Sequence, residues 1–241
     1  MDYKIDTITV IDAFKEDCEC PLCKIKADMD AAYVSSCLGA GAMVPERRVE
    51  VNRCGFCSAH LKQLYDAQTR LPLALQLQTH LHEQNAKNAK LLDAYAKKAA
   101  NSSGLFGGKK KELNEELERL KAALTSSEEA CVICSHTKEN LRRYEETVLA
   151  LYQKDSEFKR LVENGKGFCV PHFLELLTLC AEKKSPLTAV LIQRQKAAMQ
   201  RLDEELLWFA KKFDYANKDA DWGNSRDSIP RTINKLKGRI V

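Results

Sequence analysis

Gly-Phe-Cys followed two residues later by His occurs twice, as GFCSAH at Gly55–His60 and as GFCVPH at Gly167–His172. Each copy trails a Cys-x-x-Cys pair at a matched distance: 34 positions separate Cys23 from Cys57, and 35 separate Cys134 from Cys169. Six of the ten cysteines and two of the five histidines fall into these two sets. A chain that repeats scarce donor residues at one spacing must fold so that the donors converge, which restricts its layout more than any average property does.

The repetition extends beyond the donors. A short stretch of helix character precedes each GFC, PERRVEVNRCG in the first copy and DSEFKRLVENGKG in the second. After each His comes a helical pattern, then a proline (Pro72, Pro186) opening a longer one. These features describe an internal duplication. Following the first Cys-x-x-Cys, Ile25, Met29 and Tyr33 recur at helical spacing; following the second, Leu141, Tyr144, Val148 and Leu151 do. Leu191, Ala198, Leu202, Phe209 and Phe213 form an apolar stripe late in the second copy, and Leu73, Leu77, Leu81, Leu92 and Tyr95 form a less regular one in the first. Few glycines and prolines, with abundant Ala, Leu, Lys and Glu, agree with this helical pattern. The expected fold is all-α, with two tandem duplicated helical modules, each carrying a Cys3His metal site. The expected boundaries are 1–100 for the first module, 101–112 for a Gly-rich polar linker, 113–215 for the second module and 216–241 for a polar tail. Leu113, Leu117, Leu120 and Leu124 lead into the second module as an amphipathic helix, and Trp222 and Ile229 are the expected anchors of the tail. The GGKKK run in the linker lacks the glycine spacing and the following Ser or Thr of a phosphate-binding loop.

Zinc takes four tetrahedral ligands from Cys and His, and two donors three positions apart in a first helical turn lie on one side. The expected metal ligands are Cys20, Cys23, Cys57 and His60 in one site, and Cys131, Cys134, Cys169 and His172 in the other. Pairing within each module asks least of the fold and is the expected arrangement; the spacing leaves open the swapped one, in which Cys20 and Cys23 pair with Cys169 and His172. Two zinc ions are the expected cofactors, with an iron–sulfur cluster as the alternative. Four protein ligands leave no open position for substrate, and no His-Glu-x-x-His or Ser-His-Asp pattern occurs, so no catalytic residues are assigned and the sites read as structural. The first copy carries two further thiols, Cys18 and Cys54, whose counterparts are Glu129 and Lys166; they are candidate redox or accessory ligands. Cys37 and Cys180 lie in apolar stretches and read as core, His80 and His82 as solvated, and His136 as outside the ligand set because Ile25 occupies the matching place.

Acids and bases are interleaved and the net charge is only +4, which is not the concentrated basic face of a nucleic-acid binder. No stretch reaches the roughly 18 apolar residues of a membrane span. The N-terminal residues carry acids and no apolar block, so a cytoplasmic setting is expected, where clustered cysteines point to metal rather than disulfides. The doubled motifs, Cys20-Pro21-x-Cys23 with Gly55, Phe56, Cys57 and His60, then Cys131, Cys134, Gly167, Phe168, Cys169 and His172, together with FDYANKDADWG near the end, resemble an uncharacterised bacterial family classed only as a domain of unknown function. Val132 replaces the proline of the second copy. The resemblance implies a bacterial, intracellular setting and no particular activity. The expected function is a non-enzymatic, zinc-bound helical protein that meets a protein partner through its helical faces or tail. The alternative is a redox-sensing or metal-handling protein that uses the extra cysteines of the first site.

Overall fold

The computed structural model describes residues 5–100 and 107–238. Among these residues the regular structure is entirely helical, and the all-α class expected from the sequence is the one observed. The helices are α1 (Ile5–Lys15), α2 (Pro21–Leu38), α3 (Pro45–Cys54), α4 (Ser58–Asp66), α5 (Arg70–Ala100), α6 (Gly107–Glu129), α7 (Val132–Lys154), α8 (Ser156–Asn164), α9 (Val170–Lys183), α10 (Leu187–Lys211) and α11 (Ser228–Lys237). Proline opens α2 and α3 and lies in the first turn of α9, where a missing N–H removes no helical bond. The glycine of each GFC motif has positive φ, 66° at Gly55 and 78° at Gly167, a conformation that a side chain resists. At Gly55 space adds to the requirement: a Cβ there would stand 2.8 Å from the His80 ring.

The chain packs as two compact units, Met1–Met29 with Glu139–Val241, and Asp30–Lys138. These are not the two sequence modules. The expected linker falls inside the second unit: residues 101–106 lie outside the described residues, and 107–112 are the first turns of α6. The reason is the length of the helix after each Cys-x-x-Cys. With 18 residues α2 is about 27 Å long, and with 23 residues α7 is about 35 Å long. Each starts in one unit and finishes in the other, so each unit takes half of each duplicated module.

The core of the first unit includes Val10 and Phe14 of α1, Leu22 and Ile25 of α2, Val148 of α7, Phe158 of α8, Leu176 and Leu179 of α9, and Leu187 and Leu191 of α10. Phe14 meets Phe158 at 4.8 Å and the motif residue Phe168 at 5.9 Å between ring centroids. Asp155 caps α8 by accepting from the N–H groups of Glu157 (2.8 Å) and Phe158 (3.0 Å). Of the α10 stripe, Leu191, Ala198 and Leu202 are buried, whereas Phe213 is 75% exposed.

The second unit is built round Val34 and Leu38 of α2, Val51 of α3, the motif residue Phe56, Leu64 of α4, Leu73 of α5, and Val132 and Ile133 of α7. The stripe expected on α5 buries only its first member: Leu77, Leu81 and Leu92 are exposed. Gln76 is buried instead, and its Nε2 donates to the carbonyl of Cys37 at 2.8 Å. Cys37 and Cys180 are core residues, as expected. His80 is not simply solvated. It is half-buried, with Nδ1 2.9 Å from the Asn52 carbonyl at the end of α3.

The polar tail belongs to the first unit, and charge rather than apolar surface ties it down. Trp222 does pack, against Phe209 (5.5 Å) and Phe213 (6.5 Å), but Ile229 stays exposed. The Lys212 ammonium donates to the carbonyls of Asn217 (2.6 Å), Lys218 (2.9 Å) and Ala220 (2.5 Å), closing the turn after α10. Lys235 of α11 is completely buried. Its Nζ donates to the carbonyls of Glu19 (2.5 Å) and Lys166 (2.7 Å) and lies 3.0 Å from a Glu19 carboxylate oxygen.

Candidate metal centres

The eight expected ligands gather into two tetrads, but not in the expected pairs. Cys20 and Cys23 meet Cys169 and His172; Cys57 and His60 meet Cys131 and Cys134. Within each tetrad one donor atom from every residue lies within 4.8 Å of the others. Pairing within each module is therefore corrected to pairing between modules. Because α2 and α7 each begin in one unit and end in the other, each Cys-x-x-Cys falls in a different unit from the Cys-x-x-His that follows it, so the matched spacing of 34 and 35 residues records the duplication and not a contact.

Every donor sits at a helix start. Cys20 immediately precedes α2 and Cys23 lies in its first turn, and Cys131 and Cys134 stand in the same way to α7. Cys57 and Cys169 are the N-caps of α4 and α9, with His60 and His172 in the first turns. Helix N-termini are where capping and first-turn side chains of separate helices can converge on one point, and each tetrad draws its donors from two of them.

In the first tetrad, His172 Nδ1 lies 3.4 Å from Cys20 Sγ, 3.4 Å from Cys23 Sγ and 3.2 Å from Cys169 Sγ, and Cys23 and Cys169 are 3.5 Å apart. All four residues are buried. In the second, His60 Nδ1 lies 3.2 Å from Cys57 Sγ, 3.3 Å from Cys131 Sγ and 3.4 Å from Cys134 Sγ, and Cys57 and Cys134 are 3.7 Å apart. Here Cys131 and His60 are buried, Cys57 is half-buried and Cys134 is exposed.

Two features behind the tetrads are absent from the sequence reading. Asp30 lies 3.5 Å from His60 Nε2 and is itself held by Thr137, whose hydroxyl donates to it at 2.8 Å. A carboxylate on the far nitrogen of a ligating histidine orients the ring and directs the other nitrogen at a metal. The position that matches Asp30 in the second copy is Leu141, so the duplication could not flag it. The second feature is the join between the two motif turns. In the second unit the Val132 N–H donates to the Gly55 carbonyl at 3.1 Å. Pro21 occupies the matching place in the first unit and has no N–H to give. There the Lys235 ammonium bridges the two turns through the Glu19 and Lys166 carbonyls. Glu19 also accepts from Arg201 (2.8 and 2.7 Å) and Arg231 (3.4 Å). Arg231 and Lys235 are thus satisfied inside the unit.

Without a cation the donors disturb one another's protons. Hydrogen bonds from Cys169 and Cys20 drive the Cys23 thiol far below its ordinary value, while burial pushes Cys20 well above it. Burial pushes Cys134 up to about 12, reinforced by Cys131. Burial would raise Cys131 too, but the hydrogen bond with His60 and the backbone hydrogen bonds of Cys134 and Cys57 together outweigh it and bring the thiol down to about 6. The bond to Asp30, followed by that to Cys131, lifts His60 to about 10. Burial opposes the charged form of His172, yet the Cys169 and Cys23 sulfurs carry it to about 10 as well. Three sulfurs this close cannot all be thiolates unless positive charge stands among them, and a bound metal ion supplies that charge. The donor sets therefore fit a metal.

Cys18 and Cys54 belong to neither tetrad and fall in different units, so neither unit contains them as a pair. His136 is no ligand either: it pairs with Glu50 at 3.0 Å and stacks on Tyr33 at 5.3 Å.

A buried carboxyl near the first tetrad gives a pH prediction. Glu145 is buried, and its Oε1 has no hydrogen-bond partner among the described residues. Burial, then repulsion from Glu175, raises its pKa from 4.5 to about 7. Between those values the folded protein holds a proton that the unfolded chain releases. The stabilisation is complete below the lower value and is lost as pH rises through the upper one. Glu145→Gln is expected to flatten this dependence and to raise the melting temperature at pH 8 by a few degrees. Parallel pH-dependent melting curves for the two proteins would contradict it.

Two tetrads of three cysteines and one histidine, each set between helix N-termini, define an all-helical protein with a pair of candidate metal centres. The chain belongs to the family of unknown function DUF6062, whose model matches residues 1–241. No curated protein and no solved structure matches the chain. No helix among the described residues is long and apolar enough to cross a membrane.

Proposed function

We propose that this is a non-enzymatic cytoplasmic protein in which two structural zinc ions, one per tetrad, hold helical surfaces in place for a protein partner. The observation that carries the reading is the spacing of the donors. A tetrahedral zinc with bonds of about 2.3 Å to sulfur and 2.0–2.1 Å to nitrogen sets its ligands about 3.8 Å (S···S) and 3.6 Å (S···N) apart. The sulfur separations of 3.5 and 3.7 Å, and the sulfur–nitrogen separations of 3.2–3.4 Å, sit just inside those edges. An iron–sulfur cluster distributes its protein ligands over several iron atoms and asks for a wider ring. Four protein donors also complete the shell, as in structural rather than catalytic zinc sites. Exposed apolar side chains support the partner: Phe213, Tyr215 and Leu207 in the first unit, and Leu71 and Leu81 on α5 in the second.

Elemental analysis of the purified protein is expected to find two zinc ions per chain and no iron. Pairs of substitutions then test the crossed ligand sets. Cys23→Ser with Cys169→Ser is expected to leave one ion per chain, and Cys23→Ser with Cys57→Ser to leave none. The opposite result would restore pairing within modules, and a metal-free native protein would end the zinc reading.

A further inference from the structure

The two tetrads have the same donors but not the same access to solvent. In the first, all four ligands are buried; in the second, Cys134 is exposed and Cys57, whose sulfur lies 3.7 Å from it, is half-buried. The other two members, Cys131 and His60, remain buried. Metal-bound sulfur is thiolate, and an accessible thiolate is the form that hydroperoxides oxidise. We propose that the second tetrad is a peroxide-reactive site, in which Cys134 is oxidised, Cys57 closes a disulfide with it, and the ion is released while the first tetrad keeps its own. The proposal rests on the metal reading above and adds a reaction to one of its two sites.

The chemistry balances with peroxide as the only oxidant. The Cys134 thiolate attacks one peroxide oxygen; an S–O bond forms, the O–O bond breaks, and hydroxide leaves and is protonated to water. The Cys134 sulfur, now a sulfenic acid, has lost two electrons and the peroxide has gained them. The Cys57 thiolate attacks that sulfur; the S–S bond forms, the S–O bond breaks, and the second hydroxide leaves as water. Two thiolates, one hydrogen peroxide and two protons become one disulfide and two waters. The sulfurs must close from 3.7 Å to about 2.05 Å. Cys57 is the partner for this step because it is the sulfur that shares the open side of the site, whereas Cys131 lies on the buried side. Once the disulfide forms, Cys131 and His60 alone face the ion, too few donors for a tetrahedral shell.

The test treats the intact zinc-loaded protein with a molar excess of hydrogen peroxide. Released zinc is read with a chromogenic chelator, and disulfides are mapped by mass spectrometry of unreduced peptides. One of two ions is expected to leave, with a Cys57–Cys134 crosslink, and dithiothreitol plus zinc is expected to restore the starting state. Cys134→His keeps a fourth ligand that forms no disulfide, and this variant is expected to hold both ions under the same treatment. Retention of both ions by the wild-type protein would overturn the proposal, as would a Cys23–Cys169 crosslink or a Cys131–Cys134 crosslink in place of the expected one. A protein that contains no metal before peroxide is added would refute the metal reading instead, so the two failures are distinguishable.

Discussion

Cys169→Ala is expected to unfold the first unit while the second keeps its ion. Cys169 is completely buried at the N-cap of α9, and its partners in the tetrad lie at the start of α2 and one turn into α9. Structural zinc binds with roughly 10–16 kcal/mol in small peptides, and a domain's whole stability is about 5–15 kcal/mol. Removing one ligand therefore removes stabilisation comparable with everything else that holds the unit. The expected results are one ion per chain, a large loss of helical circular dichroism at 25 °C, and fast amide exchange in α1, α8, α9 and α10 with protection retained in α3 and α4. A chelator strong enough to strip both ions is expected to extend the loss to the second unit. If Cys169→Ala melts within a few degrees of the wild-type protein, the tetrad does not hold the unit together.

Lys235→Met should cost about 3–5 kcal/mol, the usual result of deleting one partner of a buried ion pair. For a unit of this size that is a fall of about 10–20 °C in melting temperature. Burial alone lowers the pKa of Lys235, and Glu19 works to keep it charged. Glu19 in turn would be raised by burial, but the bond from Arg201 and the charge of Lys235 hold it below the ordinary carboxylate range. Without the ammonium, the carbonyls of Glu19 and Lys166 lose their donor and Glu19 keeps only the two arginines. Glu19→Gln is expected to be similarly destabilising, and the double variant to lose much less than the sum of the two, because the members of a pair are coupled. A change of only a degree or two in either single variant would mean that α11 is held in another way.

The ligands were legible in the sequence because each occurs twice at one spacing, and core packing gives no reason for a cysteine to keep a fixed distance from a histidine. The helices were legible for the ordinary reason of periodicity. Partner choice among the ligands was not, because a separation along the chain does not reveal whether the intervening helix returns or runs on; α2 and α7 run on. Lys235 was illegible for a different reason. A lysine in a basic tail looks solvated, and nothing near NKLKG announces that its ammonium joins the carbonyl of Glu19, more than two hundred positions earlier, to that of Lys166. Asp30 was hidden because the duplication that revealed the ligands does not repeat it. The α5 stripe misled in the opposite direction: Leu77, Leu81 and Leu92 keep helical spacing yet stay exposed, because amphipathic spacing says which residues share a face and not whether that face is covered.

The crossing of the duplicated halves sets an order of assembly during synthesis. The loop closed by Cys57 and Cys131 is nested inside the one closed by Cys23 and Cys169. On the ribosome the inner ligand set is complete once Cys134 has been made; the outer set waits for His172, which at about 5–20 residues per second arrives roughly 2–8 seconds later. Until then Cys20 and Cys23 remain a naked dithiol at the tip of α2, and the inner centre is the first chance for the nascent chain to capture an ion.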